Sequence, residues 1–517
     1  MIRKNMMKKT RLAIIVLSAT CLWLVINTSL LAKTNHLEFA VTQGKQFESA
    51  IAALYDEYNL QGDFLIGVVG ENGLIYSKQF NRKLLSGEQS SLNNETPFYI
   101  ASHTKALTAT LLKQVEEREQ IDLDKSLHYY LPNLLLSSKI DTKRITVRHL
   151  LNHTSGFTSV MHSFKTAFLG FESGDQELIE ALNYKTLSAP VGQFRYSNTG
   201  PIIAAMILEK VTGNSWKREM QQRIFEPLGM HKTSSMTSDY IKETILPSIE
   251  VDANDNLYRT DFYKSDNTMH AAGGTISTIN DLAKWLRFNI NQESSLLSNK
   301  QSFKELHQAT TTQNKKYYTY QRTGYSLGWD IATYNEQPII TRFGGNAGIS
   351  FHASFMPKSK IGVIAVSNDQ RAFLLPHLAA NYVYNLALKN KSAWQLFEKE
   401  KRGFKRAFDR EVNRSLSNSM LLPNTQENDK YLGVYVNNEG WPEIRIEKLD
   451  DIYHVQWGLL TGKLLASNNS TTPLLVSFGP LNREVSIVND NGIITLTNGS
   501  IKFQKENNSY GAELVKN

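Results

Sequence analysis

Cysteine is nearly absent from this chain, whose 517 residues include a single one, Cys21. Because Cys21 lies close to the N-terminus, a chain cleaved after Ala32 has no thiol, no disulfide and no cysteine-based metal site. The histidines show no H-E-x-x-H or similar ligand spacing. We therefore expect neither a metal nor a cofactor, and a fold stabilised by packing alone.

Acidic residues are missing from residues 1–32, which carry five basic residues before Leu12 and an apolar run over 12–26. A basic start, an apolar run and a small residue at its end are typical of an export signal, with cleavage expected near Ala32. The run is short for a membrane span, which favours its removal over the alternative, retention as an N-terminal membrane anchor. We expect an exported protein, periplasmic or secreted.

The rest of the chain lacks a strong charge of either sign. The formal charge is +8, but beyond Ala32 the chain has 52 basic and 49 acidic residues, and no Lys/Arg stripe with interleaved aromatics occurs. We therefore expect no nucleic-acid partner. The chain is 41% hydrophobic with 23 Phe, which is enough for a sizeable core, and its length suggests two domains.

Residues 33–388 have the pattern of a mixed helix and sheet domain. Apolar residues at helical spacing fill 43–59, and two apolar runs within 64–80 are joined by a Gly-Glu-Asn-Gly turn, which predicts a hairpin. A mostly helical section follows, and strand patterns return over 339–343, 349–356 and 361–367. We predict an α+β domain in which an antiparallel sheet is flanked by helices, with an all-helical region besides.

The composition changes twice towards the C-terminus. Residues 389–428 are dense in charge and predict a linker. Over 429–517 short alternating runs recur between turn residues such as Asn491-Gly492, which predicts a small all-β domain, a barrel or a sandwich. These runs are 432–436, 443–446, 453–457, 474–478, 485–488, 493–496 and 501–503.

The first motif that carries chemistry is S-x-x-K at Ser102 and Lys105, where an apolar helical pattern begins. Residues three apart on a helix share a face, with Cβ atoms roughly 5–6 Å apart. A lysine activates a serine hydroxyl only when it is neutral, which at pH 7 needs a downward pKa shift of about three units. Desolvation and the positive helix N-terminus favour this shift, and the same N-terminus points N–H groups at an oxyanion. On its own, the motif is more typical of a helix-start serine and a surface lysine than of a catalytic pair.

Two further elements follow in sequence. Tyr196 can exchange a proton if nearby cations lower its pKa, and Asn198 offers a donor and an acceptor to a substrate amide and to Lys105. Later, Arg342 precedes the glycine pair Gly344 and Gly345. A bare glycine edge beside a cation lets a substrate backbone approach and supplies N–H donors. Taken singly, the first is more often a structural turn and the second a plain glycine-rich hairpin.

Together, the three elements resemble the serine β-lactamase and penicillin-binding-protein superfamily, in particular its class C β-lactamase, D,D-peptidase and esterase branch. That branch has S-x-x-K, then Y-x-N, then K- or H-x-G, in this order and at about this spacing. The stretches 149–157, 224–230 and 272–278 match as well, and the resemblance covers roughly residues 43–385. It implies a β-lactamase-like domain, and the C-terminal module resembles the lipocalin-like or small-barrel extensions of some relatives.

The resemblance also implies a role for each matching residue. Ser102 is the expected acylated nucleophile, and Lys105 shares the role of base with Tyr196, which later activates water. Asn198 is expected to orient the substrate. The backbone N–H groups of Ser102 and Gly345 are expected to form the oxyanion hole.

Arg342 departs from the pattern, because the family has lysine or histidine at this position. Arginine cannot join a proton shuttle. Our hypothesis is that Arg342 selects an anionic group of the substrate and lowers the pKa values of Lys105 and Tyr196 through its charge. The alternative is that it points outward and pairs with an acid.

From these observations we predict a serine hydrolase that forms an acyl-enzyme on an amide or ester bond. The expected partners are small-molecule or peptidoglycan-type peptide substrates, namely D-amino-acid peptides, β-lactams or esters. An esterase without peptide activity and a non-catalytic protein that binds cell-wall fragments are the alternatives. The sequence leaves the oligomeric state open.

Overall fold

The structure is a computed structural model and describes residues 39–134, 136–138, 140–171, 174–184, 187–251, 257–260, 262–415, 420–467 and 474–506. The predicted signal segment, residues 1–32, and Cys21 within it lie outside the described residues. None of the described helices is both long and apolar enough to cross a membrane.

The first domain is built on a nine-stranded sheet in which all neighbouring strands are antiparallel. The predicted hairpin lies at one edge of this sheet and pairs with the last strand of the domain. From edge to edge the strands are Gly73–Phe80, Phe64–Gly70, Ile361–Ser367, Ile349–Met356, Gln337–Thr341, Asp330–Tyr334, Tyr320–Tyr325 and Thr311–Tyr317, with Gly344–Asn346 also paired to Ile349–Met356.

Helices cover both faces of this sheet, which explains its long apolar runs. Along strand Phe64–Gly70 the side chains of Leu65 and Val69 enter one hydrophobic cluster, and those of Ile66 and Val68 enter another. Successive side chains of a strand point to opposite faces, so a strand between two helical layers is apolar at every position. Helices Gly44–Glu57, Leu375–Ala387 and Ala393–Ser415 contribute to the second cluster. Helices Thr104–Glu117 (which follows Ser102), Thr199–Thr212 and Ile279–Asn291 contribute to the first.

The helices follow the predicted order up to the late strands: a first helix, the hairpin, the helix after Ser102 and then a mostly helical section. The described α-helices are Gly44–Glu57, Arg82–Ser86, Thr104–Glu117, Leu127–Tyr130, Val147–Leu151, Val160–Phe164, Gly174–Asn183, Thr199–Thr212, Trp216–Met220, Ile279–Asn291, Lys300–His307, Leu375–Ala387 and Ala393–Ser415. Short two-stranded ladders join Phe98–Tyr99 to Ile276–Ser277, Phe157–Thr158 to Leu187–Ser188, and Ile249–Val251 to Leu257–Arg259.

The charged segment predicted as a linker over 389–428 is instead mostly a helix of the first domain. Helix Ala393–Ser415 packs on Leu375–Ala387, and it buries Phe397, Phe404 and Phe408 in the second cluster. These three aromatic residues are seven and four positions apart, which places them on one face of the helix, while the many charges occupy the solvent side.

The C-terminal domain is a barrel closed by the pairing of strands Leu460–Ala466 and Leu474–Phe478. The sequence pattern missed strand Leu460–Ala466, because Thr461, Gly462 and Lys463 interrupt its apolar alternation. A Cβ at Gly462 would lie 2.2 Å from the Ser477 carbonyl oxygen, so only glycine allows these strands to approach here. The eight strands are Gly433–Val436, Ile444–Leu449, Ile452–Trp457, Leu460–Ala466, Leu474–Phe478, Leu481–Asp490, Ile493–Asn498 and Ile501–Lys505, with Met420–Leu421 added outside.

The barrel packs against a short segment of the first domain, residues 160–169, which we call the wall segment. Met161 and Leu169 belong to the same hydrophobic cluster as the barrel core, and the Phe164 and Trp457 ring centroids are 5.3 Å apart. The backbone N–H of Leu459 donates to the Leu169 carbonyl at 3.0 Å. The barrel therefore holds the wall segment in place.

Candidate active site

Ser102 lies in the tight turn Ala101–His103 that leads into helix Thr104–Glu117. Ala101 has φ of +47°, an unusual left-handed conformation for a residue with a side chain. His103 anchors the turn: its Nε2 accepts the Trp285 indole N–H at 2.9 Å, so the proton lies on Nδ1, which donates to the Arg342 carbonyl at 3.0 Å. Burial lowers the pKa of His103 to about 3, so the imidazole is neutral.

Lys105 is buried one helical turn from Ser102, with 1% of its surface exposed. Its Nζ donates to Ser102 Oγ at 3.1 Å, to Asn198 Oδ1 at 2.7 Å and to the Ala272 carbonyl at 2.6 Å. Burial lowers the pKa of Lys105 to about 8, assisted by the charge of Arg342 and opposed by Tyr196. The direction is the one that a lysine acting as a base requires.

Tyr196 completes a triangle around the Ser102 hydroxyl. The Tyr196 hydroxyl donates to Ser102 Oγ at 3.1 Å and accepts from Arg342 Nη2 at 3.0 Å. The ring is 42% exposed, but the hydroxyl is enclosed among these groups. Burial alone would raise the pKa of Tyr196, and the charges of Arg342 and Lys105 outweigh it and lower the pKa to about 8.

Arg342 points inward, and all three of its side-chain nitrogens are engaged. Besides Tyr196, the guanidinium donates to the Tyr325 hydroxyl and to Asp330 Oδ2, both at 3.3 Å, and Nε donates to the Phe343 carbonyl at 3.3 Å. Only 6% of Arg342 is exposed. The position is therefore suited to tuning Tyr196, whereas a bidentate clamp on a substrate carboxylate would require these bonds to break.

The two glycines after Arg342 have different surroundings in the short strand Gly344–Asn346. A Cβ on Gly344 would lie 2.2 Å from the Ile100 carbonyl oxygen and 3.2 Å from Ala101 Cβ. The absence of a side chain at Gly344 therefore lets the strand lie directly against the serine turn. Gly345 faces open space, with the nearest atom 4.0 Å from a built Cβ, and it lines the same cavity as Ser102.

Some residues of the site had no sequence signal. Tyr325 and Asp330 hold Arg342, and they lie on adjacent strands that the sequence pattern did not mark. His153 belongs to one of the matching stretches. Its ring nitrogens contact Ser197 N and the Tyr325 hydroxyl, and its ring lies 4.5 Å from that of Tyr196. His153 thus packs behind Tyr196.

These groups open onto a cavity of about 380 Å³. Ser102, Tyr196 and Asn198 lie at its polar side, and Lys264 and His270 also line it. The wall segment supplies the apolar side through Val160, Phe164, Ala167 and Phe168. Among the residues that the structure describes, no three His, Cys, Asp or Glu side chains are grouped so that they could hold a metal ion.

This fold is that of the serine β-lactamase and penicillin-binding-protein superfamily of hydrolases. The Beta-lactamase family model matches residues 47–382, and the chain belongs to this family.

Two relatives illustrate how far the similarity reaches. The chain is 24% identical over 428 residues to unguisins hydrolase ungD' of Aspergillus campestris, across 77% of this chain and 76% of that protein. It is 28% identical over 196 residues to penicillin-binding protein 4* of Bacillus subtilis, across 37% of this chain and 41% of that protein. The second alignment thus spans less than half of that relative.

Solved structures share the fold at low sequence identity. The octameric penicillin-binding protein homologue from Pyrococcus abyssi has a TM-score of 0.58 and 20% identity, across 90% of this chain and 100% of that chain. The D-amino acid amidase from Ochrobactrum anthropi SV3, solved with D-phenylalanine, has a TM-score of 0.56 and 19% identity, across 67% of this chain and 100% of that chain.

Proposed function

We propose that this protein hydrolyses an amide or ester bond through an acyl-enzyme on Ser102. The observation that carries the proposal is the pair of hydrogen bonds on Ser102 Oγ, each 3.1 Å long, from Lys105 and Tyr196. Both neighbours have pKa values near 8, so a small fraction of each is deprotonated at neutral pH and can take the serine proton.

In the acylation step, the Ser102 proton passes to Lys105 Nζ or to the Tyr196 oxygen, and Ser102 Oγ forms a bond to the substrate carbonyl carbon. The N–H groups of Ser102 and Gly345 receive the developing oxyanion. When the C–N or C–O bond breaks, the same proton moves to the leaving amine or alcohol. The ammonium form of Lys105 stays held by Asn198 and the Ala272 carbonyl.

Deacylation reverses the roles of the groups. A water molecule gives its proton to Tyr196 and attacks the acyl carbon, and Ser102 Oγ leaves with the returned proton. The guanidinium of Arg342 stabilises the phenolate form of Tyr196 through a bond of 3.0 Å. Arg342 therefore acts as a positioning residue that tunes Tyr196.

The substrate class that we propose is a small amide or peptide, with D-amino-acid peptides foremost. Two similar proteins support an amide bond: one relative is an unguisins hydrolase, and one protein of similar fold is a D-amino acid amidase. The apolar wall of Val160, Phe164 and Phe168 suits a hydrophobic side group. β-Lactams and simple esters remain candidate substrates of the same chemistry.

A covalent probe tests the nucleophile directly. We expect a fluorophosphonate or a fluorescent penicillin to label the wild-type protein and to leave Ser102→Ala unlabelled, with the label recovered on the peptide that contains Ser102. Equal labelling of both proteins would exclude Ser102. The free energy of unfolding of Ser102→Ala, measured by denaturant, serves as the control for a folded variant.

A substrate panel separates the remaining alternatives. An amidase or peptidase hydrolyses D-amino-acid amides and D-Ala-D-Ala peptides, and an esterase hydrolyses only p-nitrophenyl esters. A non-catalytic binding protein is labelled slowly and turns over none of these compounds.

We also propose that the protein is exported and that residues 1–32 are removed. The support is the basic and apolar pattern of that segment. Mass spectrometry of the N-terminus from the producing cell tests this, and an intact Met1 in a cytoplasmic fraction would contradict it.

A further inference from the structure

The active-site cavity contains a second buried lysine, Lys264, to which neither the motifs nor the mechanism assigns a role. Lys264 lines the cavity together with Ser102, and only 8% of it is exposed. Its Nζ donates to the Ala167 carbonyl at 2.8 Å and to the Thr268 carbonyl at 2.9 Å. An ammonium group has three donors, so one of them is left for a third acceptor.

The charge of Lys264 has no counter-ion in the described part of the chain. Among the described residues, its acceptors are the two backbone carbonyls, no ion pair involves it, and the residues that line the cavity include no Asp or Glu. His270, which also lines the cavity, is neutral because burial lowers its pKa well below the ordinary value. The Phe168 ring, 5.4 Å from Nζ, offers only partial compensation.

Two other cations lie close to Ser102, and both have roles already described. Arg342 is paired with Asp330, and Lys105 donates to the neutral groups of Ser102, Asn198 and the Ala272 carbonyl as part of the proposed catalytic group. A buried charge without an opposite charge is costly, and burial accordingly lowers the pKa of Lys264 to about 7. An anion that entered the cavity would remove this cost.

We propose that Lys264 forms an anion-binding subsite of the cavity, and that the preferred substrate carries a carboxylate near its scissile amide or ester bond. The carboxylate belongs either to the acyl part or to the leaving group, and both sources present the same chemistry to the ammonium. The proposal rests on the proposed function of Ser102, which supplies the reaction used to test it.

Matched substrates test the subsite and identify the source of the carboxylate. In the first pair of aryl esters, one member ends its acyl chain in a carboxylate and the other in a methyl group. In the second pair, the same two groups are compared on the leaving group. In one of the two pairs, we expect the wild-type enzyme to have a higher kcat/KM for the carboxylate-bearing member. In Lys264→Met this preference should fall roughly tenfold or more, the effect of losing a hydrogen bond to a charged group.

Lys264→Arg keeps the charge and should retain much of the preference. Lys217→Met is the matched control. The Lys217 ammonium donates to the Asp266 carbonyl at 2.6 Å, in the loop that also contains Lys264 and Thr268, but Lys217 does not line the cavity. Lys217→Met should therefore leave the preference unchanged.

The outcomes distinguish the possible failures. If kcat/KM falls equally for charged and neutral substrates in Lys264→Met, then Lys264 only stabilises the structure through its bonds to Ala167 and Thr268. That result would overturn the proposal. If Lys264→Met does not fold, the wild-type enzyme decides: no preference for a carboxylate in either pair overturns the subsite. A wild-type protein that a probe does not label at Ser102 would overturn the proposed function instead.

Discussion

The hydroxyl of Tyr196 lies between two cations and a serine, and its protonation state depends on all three. Arg342 donates to it at 3.0 Å, and Lys105 Nζ lies 5.0 Å from the centre of its ring. A fixed guanidinium favours the phenolate without ever exchanging a proton, which a lysine or histidine at position 342 could do. The departure from the family pattern thus gives Tyr196 a permanent electrostatic partner.

Replacement of Arg342 should shift the pH dependence of the reaction. The positive charge of Arg342 lowers the pKa of both Tyr196 and Lys105, each to about 8, so kcat/KM is expected to rise with pH through this region. In Arg342→Ala both pKa values rise, the rising limb moves to higher pH, and activity at pH 7 falls about tenfold per pKa unit. A pH profile of kcat/KM measures this shift.

Arg342→Lys serves as the comparison, because it keeps a positive charge and should shift the limb less. Asp330 keeps a second partner in both variants, since Arg322 Nη2 lies 3.5 Å from it. An unchanged pH profile in Arg342→Ala would show that Arg342 does not lower the pKa of the catalytic base.

Among single residues, those that belong to a motif were predicted from the sequence, whereas those that contact the motif residues from elsewhere in the fold were not. Ser102, Lys105, Tyr196 and Asn198 were predicted to meet, and the structure brings them within hydrogen-bond distance. Tyr325, Asp330 and Lys264 follow no local pattern. They reach the site through strand pairing and a long loop, which spacing along the chain does not encode.

At the scale of elements, the site depends on the close approach of the serine turn and the strand Gly344–Asn346. Two features allow it: the left-handed backbone of Ala101 and the missing side chain of Gly344. The N–H groups proposed to hold the oxyanion are brought together by this contact between elements, with the His103 bond to the Arg342 carbonyl as a second tie.

The two neighbouring glycines should therefore respond differently to the same change. In Gly344→Ala the new Cβ meets the Ile100 carbonyl oxygen at 2.2 Å, and backbone must move, which we expect to lower the free energy of unfolding by about 1–3 kcal/mol. In Gly345→Ala the nearest atom is 4.0 Å away, and the change should stay within about 0.5 kcal/mol. Denaturant unfolding of both variants tests the contrast, and equal losses would contradict it.

Two elements differ from the sequence-based prediction: helix Ala393–Ser415 was predicted as part of a linker, and strand Leu460–Ala466 was not predicted. The helix has an apolar face, but its charge density favoured a linker, and only the neighbouring helix Leu375–Ala387 shows what that face covers. The strand contains Gly462, which breaks the alternation and is required because the Ser477 carbonyl approaches closely. In both cases the decisive contact is with a distant segment.

At the scale of the whole molecule, the barrel is part of the cavity's construction. It contacts the wall segment through Trp457, Gly458 and Leu459, and the wall segment supplies Phe164, Ala167 and Phe168 to the cavity. The same contact region includes Lys264, which is bonded to Ala167. The position of the barrel therefore affects the shape of the substrate site.

A pair of barrel glycines can test this connection. Gly458 has φ of +56°, and a Cβ there would lie 2.7 Å from the Leu169 carbonyl oxygen, whereas Gly492 has φ of +89° with nothing within 4 Å. Alanine strains the backbone at both positions, by about 1 kcal/mol or more. Only Gly458→Ala should displace the wall segment and raise KM several-fold for a substrate that Ser102 hydrolyses.

Steady-state kinetics of Gly458→Ala and Gly492→Ala, at a temperature where both remain folded, measure the difference. An unchanged KM in Gly458→Ala would mean that the barrel is independent of the substrate site.

The pairing of the first hairpin with the last strand of its sheet has a consequence for the timing of folding. The backbone N–H of Asp63 donates to Asn368 Oδ1, a residue 305 positions further along the chain. During synthesis, strand Phe64–Gly70 therefore has one unpaired edge until the ribosome has added strand Ile361–Ser367. The first domain cannot complete its fold before then, so its nascent chain stays partly unfolded during most of its synthesis.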